Sequence, residues 1–232
     1  MMQQGHSSVV TDAASAPVLD IKGARATIRL NRPKHLNRLQ PDDLETLLKL
    51  FDRIEADAAI RVLVLTGTGR AFSAGYDLGS IAERAATAQE QTAGSAFEVV
   101  VNRLEDLAVP TICRLNGGVY GGSTDLALAC DFRIGVDTGE MFMPAARLGL
   151  HYYKSGIKRY VSRLGVDNAK RLFLTAEKIG AAEMLRIGYL TAMVPPEALD
   201  EEAADRRHRD SMRSAEIKEG IKAFAEKRPP KF

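Results

Sequence analysis

The chain has 232 residues, 45% of them hydrophobic and 27% charged, with a formal net charge of +2. That suits one ordinary domain with a sizeable core, and without a long basic run composition gives no case for nucleic acid. The two cysteines, Cys113 and Cys130, stand at no disulfide or zinc spacing, the four histidines form no ligand cluster, and no apolar stretch reaches transmembrane length. Residues 1–16, rich in Ser, Ala and Gln, read as a disordered tail and as neither a signal nor a transit peptide. A reducing cytoplasm is therefore the expected compartment.

In chain order, Val18 to Ile21 and Arg25 to Leu30 alternate polar and apolar residues across Lys22-Gly23, which predicts a hairpin with Ala26, Ile28 and Leu30 facing the core. Pro41 starts a helix with Asp42 and Asp43 in its first turn, and Leu44, Leu47, Leu48, Phe51 and Ile54 mark its buried face. Arg61 to Thr66 is a continuous β-branched and leucine run, read as a strand buried on both faces. Strand, helix, strand argues for a parallel α/β layer. Phe97, Val100, Leu104 and Leu107 predict a helix from about Gln89 to Ala108, and Thr111 to Leu115 reads as the next strand. Short helices are expected over 153–163, 166–175 and 181–188, and an amphipathic helix over 214–227.

Two stretches interrupt this pattern. Residues 67–78, GTGRAFSAGYDL, and residues 116–125, NGGVYGGSTD, each follow a core strand and read as a glycine-rich turn leading into a helix. A P-loop would want Gly-Lys-Ser/Thr at the helix start, and a dinucleotide turn a different glycine spacing. Neither fits. Two turns at the carboxyl edge of one sheet, where ligands bind in open α/β folds, can instead offer backbone N–H groups to a developing oxyanion. Tight packing turns are the plainer alternative.

The segments NRPKHLNRL, RVLVLTGTGRAFSAGYDL, NGGVYGGSTDLALACD and FMPAARLGL together resemble the crotonase (enoyl-CoA hydratase/isomerase) superfamily. The resemblance runs from about Val18 to Val194 and again through Arg213 to Phe232. It implies an α/β fold, a crotonase-like β-β-α spiral core over 17–190 with a C-terminal helical region over 191–232 that looks shorter than the family norm. It also implies an acyl-CoA thioester substrate, homotrimers or dimers of trimers, and neither metal nor any cofactor beyond the coenzyme A of the substrate.

By motif position, the resemblance places two oxyanion N–H donors on Ala74 and Gly122. It places CoA and acyl contacts on Lys34, His35, Leu36, Ser73, Gly75, Tyr76, Asp77, Leu78 and Gly121. Of the two glutamates that handle water in the hydratases, the first falls on Asp125 and the second on Ala145. An alanine cannot act as a general base, so two-carboxylate water addition is not expected. A short acid such as Asp125 could equally cap its own helix. His151, Tyr152 and Tyr153 occupy the loop where relatives carry variable groups: dienoyl-CoA isomerases have a second acid at the place of Tyr153, and some acyl-CoA decarboxylases a tyrosine near Tyr152. Hydratase, isomerase, decarboxylase and non-catalytic acyl-CoA binder all stay open on these residues.

Overall fold

The hairpin forms as β1 (Val18–Lys22) and β2 (Arg25–Leu30), one residue longer in its first strand than expected. Gly23, at φ 59°, supplies the left-handed residue of its turn. Ala26, Ile28 and Leu30 are at most 1% exposed. These and all later observations come from a computed structural model in which residues 16–77 and 90–199 are described, the backbone alone over 90–95. The expected N-terminal tail, Leu78 and the expected helix over 214–227 lie outside the described residues.

α1 (Pro41–Ala56) begins with its proline in the first turn, where a missing N–H costs nothing. The Asp43 carboxylate accepts the Gln40 N–H at 2.8 Å and pairs with Arg32 at 2.9 Å. β3 (Val62–Gly67) is buried throughout and lies parallel to β2. α2 (Glu90–Glu105) stops three residues before Ala108. Pro110 disfavours helix at the residue before it, and the chain closes with a tight Leu107 N–H to Leu104 C=O turn.

The stretch read as a glycine turn is corrected by the structure. Between β5 (Thr111–Leu115) and α3 (Ser123–Ala129) stands a short strand, β6 (Gly118–Tyr120), and between β3 and α2 stands β4 (Ala71–Ser73). With β8 (Glu140–Phe142) and β9 (Lys178–Gly180) these form a separate four-stranded sheet, order β4-β6-β8-β9. The main sheet has six strands, order β1-β2-β3-β5-β7-β10, completed by β7 (Phe132–Val136) and β10 (Ala192–Val194). β1 and β2 both join the main sheet, whereas the units β3-β4-α2 and β5-β6-α3 each send one strand to the main sheet, one to the smaller sheet, and then a helix. That is the β-β-α repeat. Because β10 pairs with β7, the core runs beyond residue 190.

α4 (Lys154–Leu164), α5 (Val166–Thr175) and α6 (Ala181–Arg186) follow close to the expected bounds. All residues of α3 are buried, which places Asp125 inside the core. No helix among the described residues is long and apolar enough to cross a membrane.

One segment ties the layers together. Leu36 and Asn37 both take left-handed φ, 50° and 54°, a region that asparagine tolerates and leucine disfavours. The buried Asn37 amide donates to the carbonyls of Thr68, Ala71 and Phe72 at 2.9, 2.9 and 3.1 Å. Its own oxygen accepts the Arg32 N–H at 3.0 Å. Asn37→Ala removes the amide donated to the Thr68 and Phe72 carbonyls, while Ala71 keeps the Asn116 amide at 3.1 Å, and is expected to cost about 1–3 kcal/mol in urea unfolding. A change within a few tenths would show that water replaces the amide.

Candidate active site

β4 and β6 run parallel, Ala71 beside Gly118 and Ser73 beside Val119, so the residues after each strand emerge side by side. Gly75 has φ 93°, and a Cβ built on it would lie 2.7 Å from the Tyr120 carbonyl oxygen and 3.2 Å from the Gly122 nitrogen. Only glycine allows the two turns to approach so closely. Gly121, at φ 55°, completes the second turn. Gly122 precedes α3 with φ −56° and ψ −28°, and no acceptor among the described residues takes its N–H.

The expectation for Ala74 is corrected. Its N–H is donated to the Leu36 carbonyl at 2.7 Å, within the protein. The next N–H, that of Gly75, lies 3.2 Å from the Ser73 hydroxyl. Tyr76 forms a parallel bridge with Leu39: Leu39 N–H donates to Gly75 C=O at 2.8 Å, and Asp77 N–H donates to Leu39 C=O at 2.9 Å. In such a bridge the N–H of the central residue points away from its partner strand. The Tyr76 N–H is thus directed off the side opposite Leu39. Its ring packs on Phe97, centroids 5.8 Å apart, and the Phe97 ring lies 3.0 Å from the place a Gly122 Cβ would take.

One helical turn beyond Gly122 is Asp125, whose side chain is 0% exposed. It makes no cap bond to its own helix, so the capping alternative is set aside. Both its oxygens accept from Arg159 Nη1 at 2.8 Å. One of them also accepts a short hydrogen bond from the Tyr153 hydroxyl. The Tyr152 hydroxyl stands 3.4 Å from that same oxygen and 3.2 Å from the Tyr153 hydroxyl. Arg159 is held in turn by Asn102 at 2.8 Å and Glu105 at 2.9 Å. Asp125 is therefore not an acid open to the crevice, as its motif position suggested; two half-buried tyrosines stand beside it.

Burial pushes the Asp125 carboxyl above the ordinary carboxylate value, against the pull of Arg159 and the tyrosine hydroxyls. Burial, and then the Asp125 charge, push both Tyr152 and Tyr153 upward, so both hydroxyls stay protonated at neutral pH. The two rings stack at 4.3 Å, and Tyr153 meets Phe97 edge-on at 6.3 Å. Gly156 lets α4 pass close: a Cβ there would come 2.8 Å from an Asp125 oxygen.

The other expected positions divide. Ser73 is buried, bonded to the Asn37 carbonyl at 2.7 Å and to Ser123 at 2.6 Å. Asp77 pairs with Arg38 at 3.3 Å. Lys34 and His35 are exposed at the surface just before Leu36, and His151 is exposed at the start of the tyrosine loop. Ala145 is buried in a 3-10 turn, 5% exposed. Among the described residues no group of three His, Cys, Asp or Glu could hold a metal ion.

Arg159 is the member that sequence reasoning missed. With Gly156, Tyr160 and Leu164 it occupies the buried face of α4. An arginine at an apolar-face position demands a buried acid, and that was the available signal.

A family model described as enoyl-CoA hydratase/isomerase matches residues 20–209. A short-chain-enoyl-CoA hydratase of Clostridium acetobutylicum is 34% identical over 183 residues, covering 78% of this chain and 70% of that protein. Among solved structures, an enoyl-CoA hydratase from Bacillus anthracis superposes with a TM-score of 0.77 at 28% identity, covering 93% of this chain and 98% of its own. A monofunctional enoyl-CoA isomerase from M. smegmatis superposes with a TM-score of 0.70 at 30% identity, covering 86% and 87%.

Proposed function

Because the chain belongs to the enoyl-CoA hydratase/isomerase family, we propose that it transforms an acyl-CoA thioester through an enolate held by the backbone N–H groups of Gly122 and Tyr76. The observation that carries this reading is the contact of the two turns, with the Gly75 backbone wedged against Tyr120 and Gly122. It brings a Gly122 N–H that no described group accepts beside a Tyr76 N–H aimed away from Leu39. Two preorganised donors of this kind stabilise charge that develops on a thioester oxygen. Ser73, Gly75, Asp77 and Gly121 shape these turns, and Lys34, His35 and Leu36 form the side on which coenzyme A would lie.

With alanine at position 145, water addition lacks its second carboxylate, and hydration of crotonyl-CoA is expected to be slow. Double-bond isomerisation or decarboxylation needs only one proton-transfer group beside the enolate, and the Asp125 cluster supplies it. Action in the cytoplasm, as a homotrimer or dimer of trimers and with no cofactor of its own, belongs to the same proposal.

Thermal unfolding with free coenzyme A and with a panel of acyl-CoAs tests it. A ligand at about a hundred times its dissociation constant adds roughly 2.7 kcal/mol to native stability, so a clear rise in Tm is expected with thioesters. Stabilisation without turnover of any thioester would support a non-catalytic binder. No shift with any of them would overturn the proposal.

A further inference from the structure

We propose that Tyr153 is the group that exchanges a proton with the substrate, and that Asp125 acts behind it as a buried proton acceptor held in place by Arg159. The inference rests on the enolate reading above and adds the path of the proton. Asp125 cannot meet a substrate itself, since its side chain is 0% exposed and its oxygens are taken by Arg159 and the tyrosines. Tyr153 keeps part of its surface exposed. Its ring abuts Phe97, which lies over Gly122, and its hydroxyl reaches a carboxylate one helical turn from the Gly122 N–H.

Hydrogen-bond direction decides the role. Asp125 is an acceptor, so the Tyr153 proton points at it, and Arg159 can only donate. One lone pair on the Tyr153 oxygen faces Tyr152 at 3.2 Å, which leaves the other to receive a proton. As the α-carbon C–H bond of the thioester breaks, its electron pair moves into the enolate. The released proton binds the Tyr153 oxygen while the original hydroxyl proton passes to Asp125. Tyrosine ends neutral, Asp125 ends neutral, and the negative charge has moved to the thioester oxygen. The reverse sequence returns a proton to carbon. The Arg159 guanidinium at 2.8 Å favours the ionised carboxylate, and burial pushes that carboxyl upward, which suits Asp125 to take the proton.

Exchange of the α-hydrogens of butyryl-CoA in D2O, followed by NMR, reads this step without any net reaction. The parent is expected to exchange them. Tyr153→Phe, which leaves the Asp125–Arg159 pair intact, should slow exchange by roughly 10²–10⁴-fold, with its Tm rise in butyryl-CoA preserved. Asp125→Asn should lose exchange to a similar degree while still binding, whereas Tyr152→Phe should lose less than about tenfold because it only donates to the relay. Exchange in Tyr153→Phe within about tenfold of the parent would overturn the relay and leave the enolate reading standing. A parent that binds but exchanges no α-hydrogen would overturn both.

Discussion

Gly122→Pro is expected to lower turnover on the active thioester by about 10²–10³-fold, the loss of one oxyanion donor, while the chain stays folded. Gly122 sits at φ −56°, inside the range that a proline ring imposes, so the substitution strains no dihedral at that residue. The positive angles of the two turns belong to Gly121 and Gly75 instead. No described acceptor loses a hydrogen bond when the N–H disappears. What must give is the Phe97 ring, 3.0–3.1 Å from the new Cβ. Gly122→Ala brings the same Cβ and keeps the N–H, so the ratio of the two variants reports the lost donor together with the ring Cδ that replaces its hydrogen. Turnover should be measured beside far-UV circular dichroism. Equal rates for the alanine and proline variants would remove Gly122 from the reaction.

Arg159→Leu should be the most destabilising single change in the site. It strands a buried carboxylate, and breaking a buried pair from one side costs about 3–5 kcal/mol. The loss should also depend on pH, with a definite sign. Burial already holds Asp125 above the value it has in an unfolded chain, and removing Arg159 raises it further. Between the unfolded and the native value the native state binds a proton that the unfolded state has released. Stability therefore falls as pH rises through that window. The other groups facing the carboxylate, Tyr152, Tyr153 and Tyr160, all have their pKa pushed up and stay neutral there. Urea unfolding should thus find a modest deficit at acid pH and the full deficit near neutrality. Adding Asp125→Asn should recover much of it. A deficit that ignores pH would mean the Asp125 charge is not its source.

Much of this fold was legible because its long elements obey simple periods. The VLVLT run, the leucine stripe of α1 and the Arg25–Leu30 alternation each declare a core face. β4 and β6 escaped because three-residue strands are too short to show a period of two, and their glycines read more naturally as turns. In the candidate site, Asp125 was named by its place in a motif, but not its surroundings. Those are set by Arg159, 34 residues away on another helix. Ala74 failed for a related reason: motif position names a residue, whereas donation depends on which way an N–H points. Here the direction comes from the Leu36 carbonyl and the Leu39 bridge, far from Ala74 in sequence, which neither composition nor spacing encodes.

The left-handed Leu36–Asn37 pair also has a mechanical consequence. Leu36 holds Ala74 by its carbonyl, and Lys34 and His35 sit exposed immediately before it. One hydrogen bond therefore separates that surface from the turn beside Gly122. On the proposed reading, a substrate with an inert, charged end and a reactive end would grip the protein at both places. Force gathered at the inert end can then set the position of the reactive one, since binding energy from remote groups is what enzymes use to orient the bond that changes. A thioester trimmed of its nucleotide portion should accordingly lose turnover rate as well as affinity, because it would leave the Lys34–Leu36 lever unpressed.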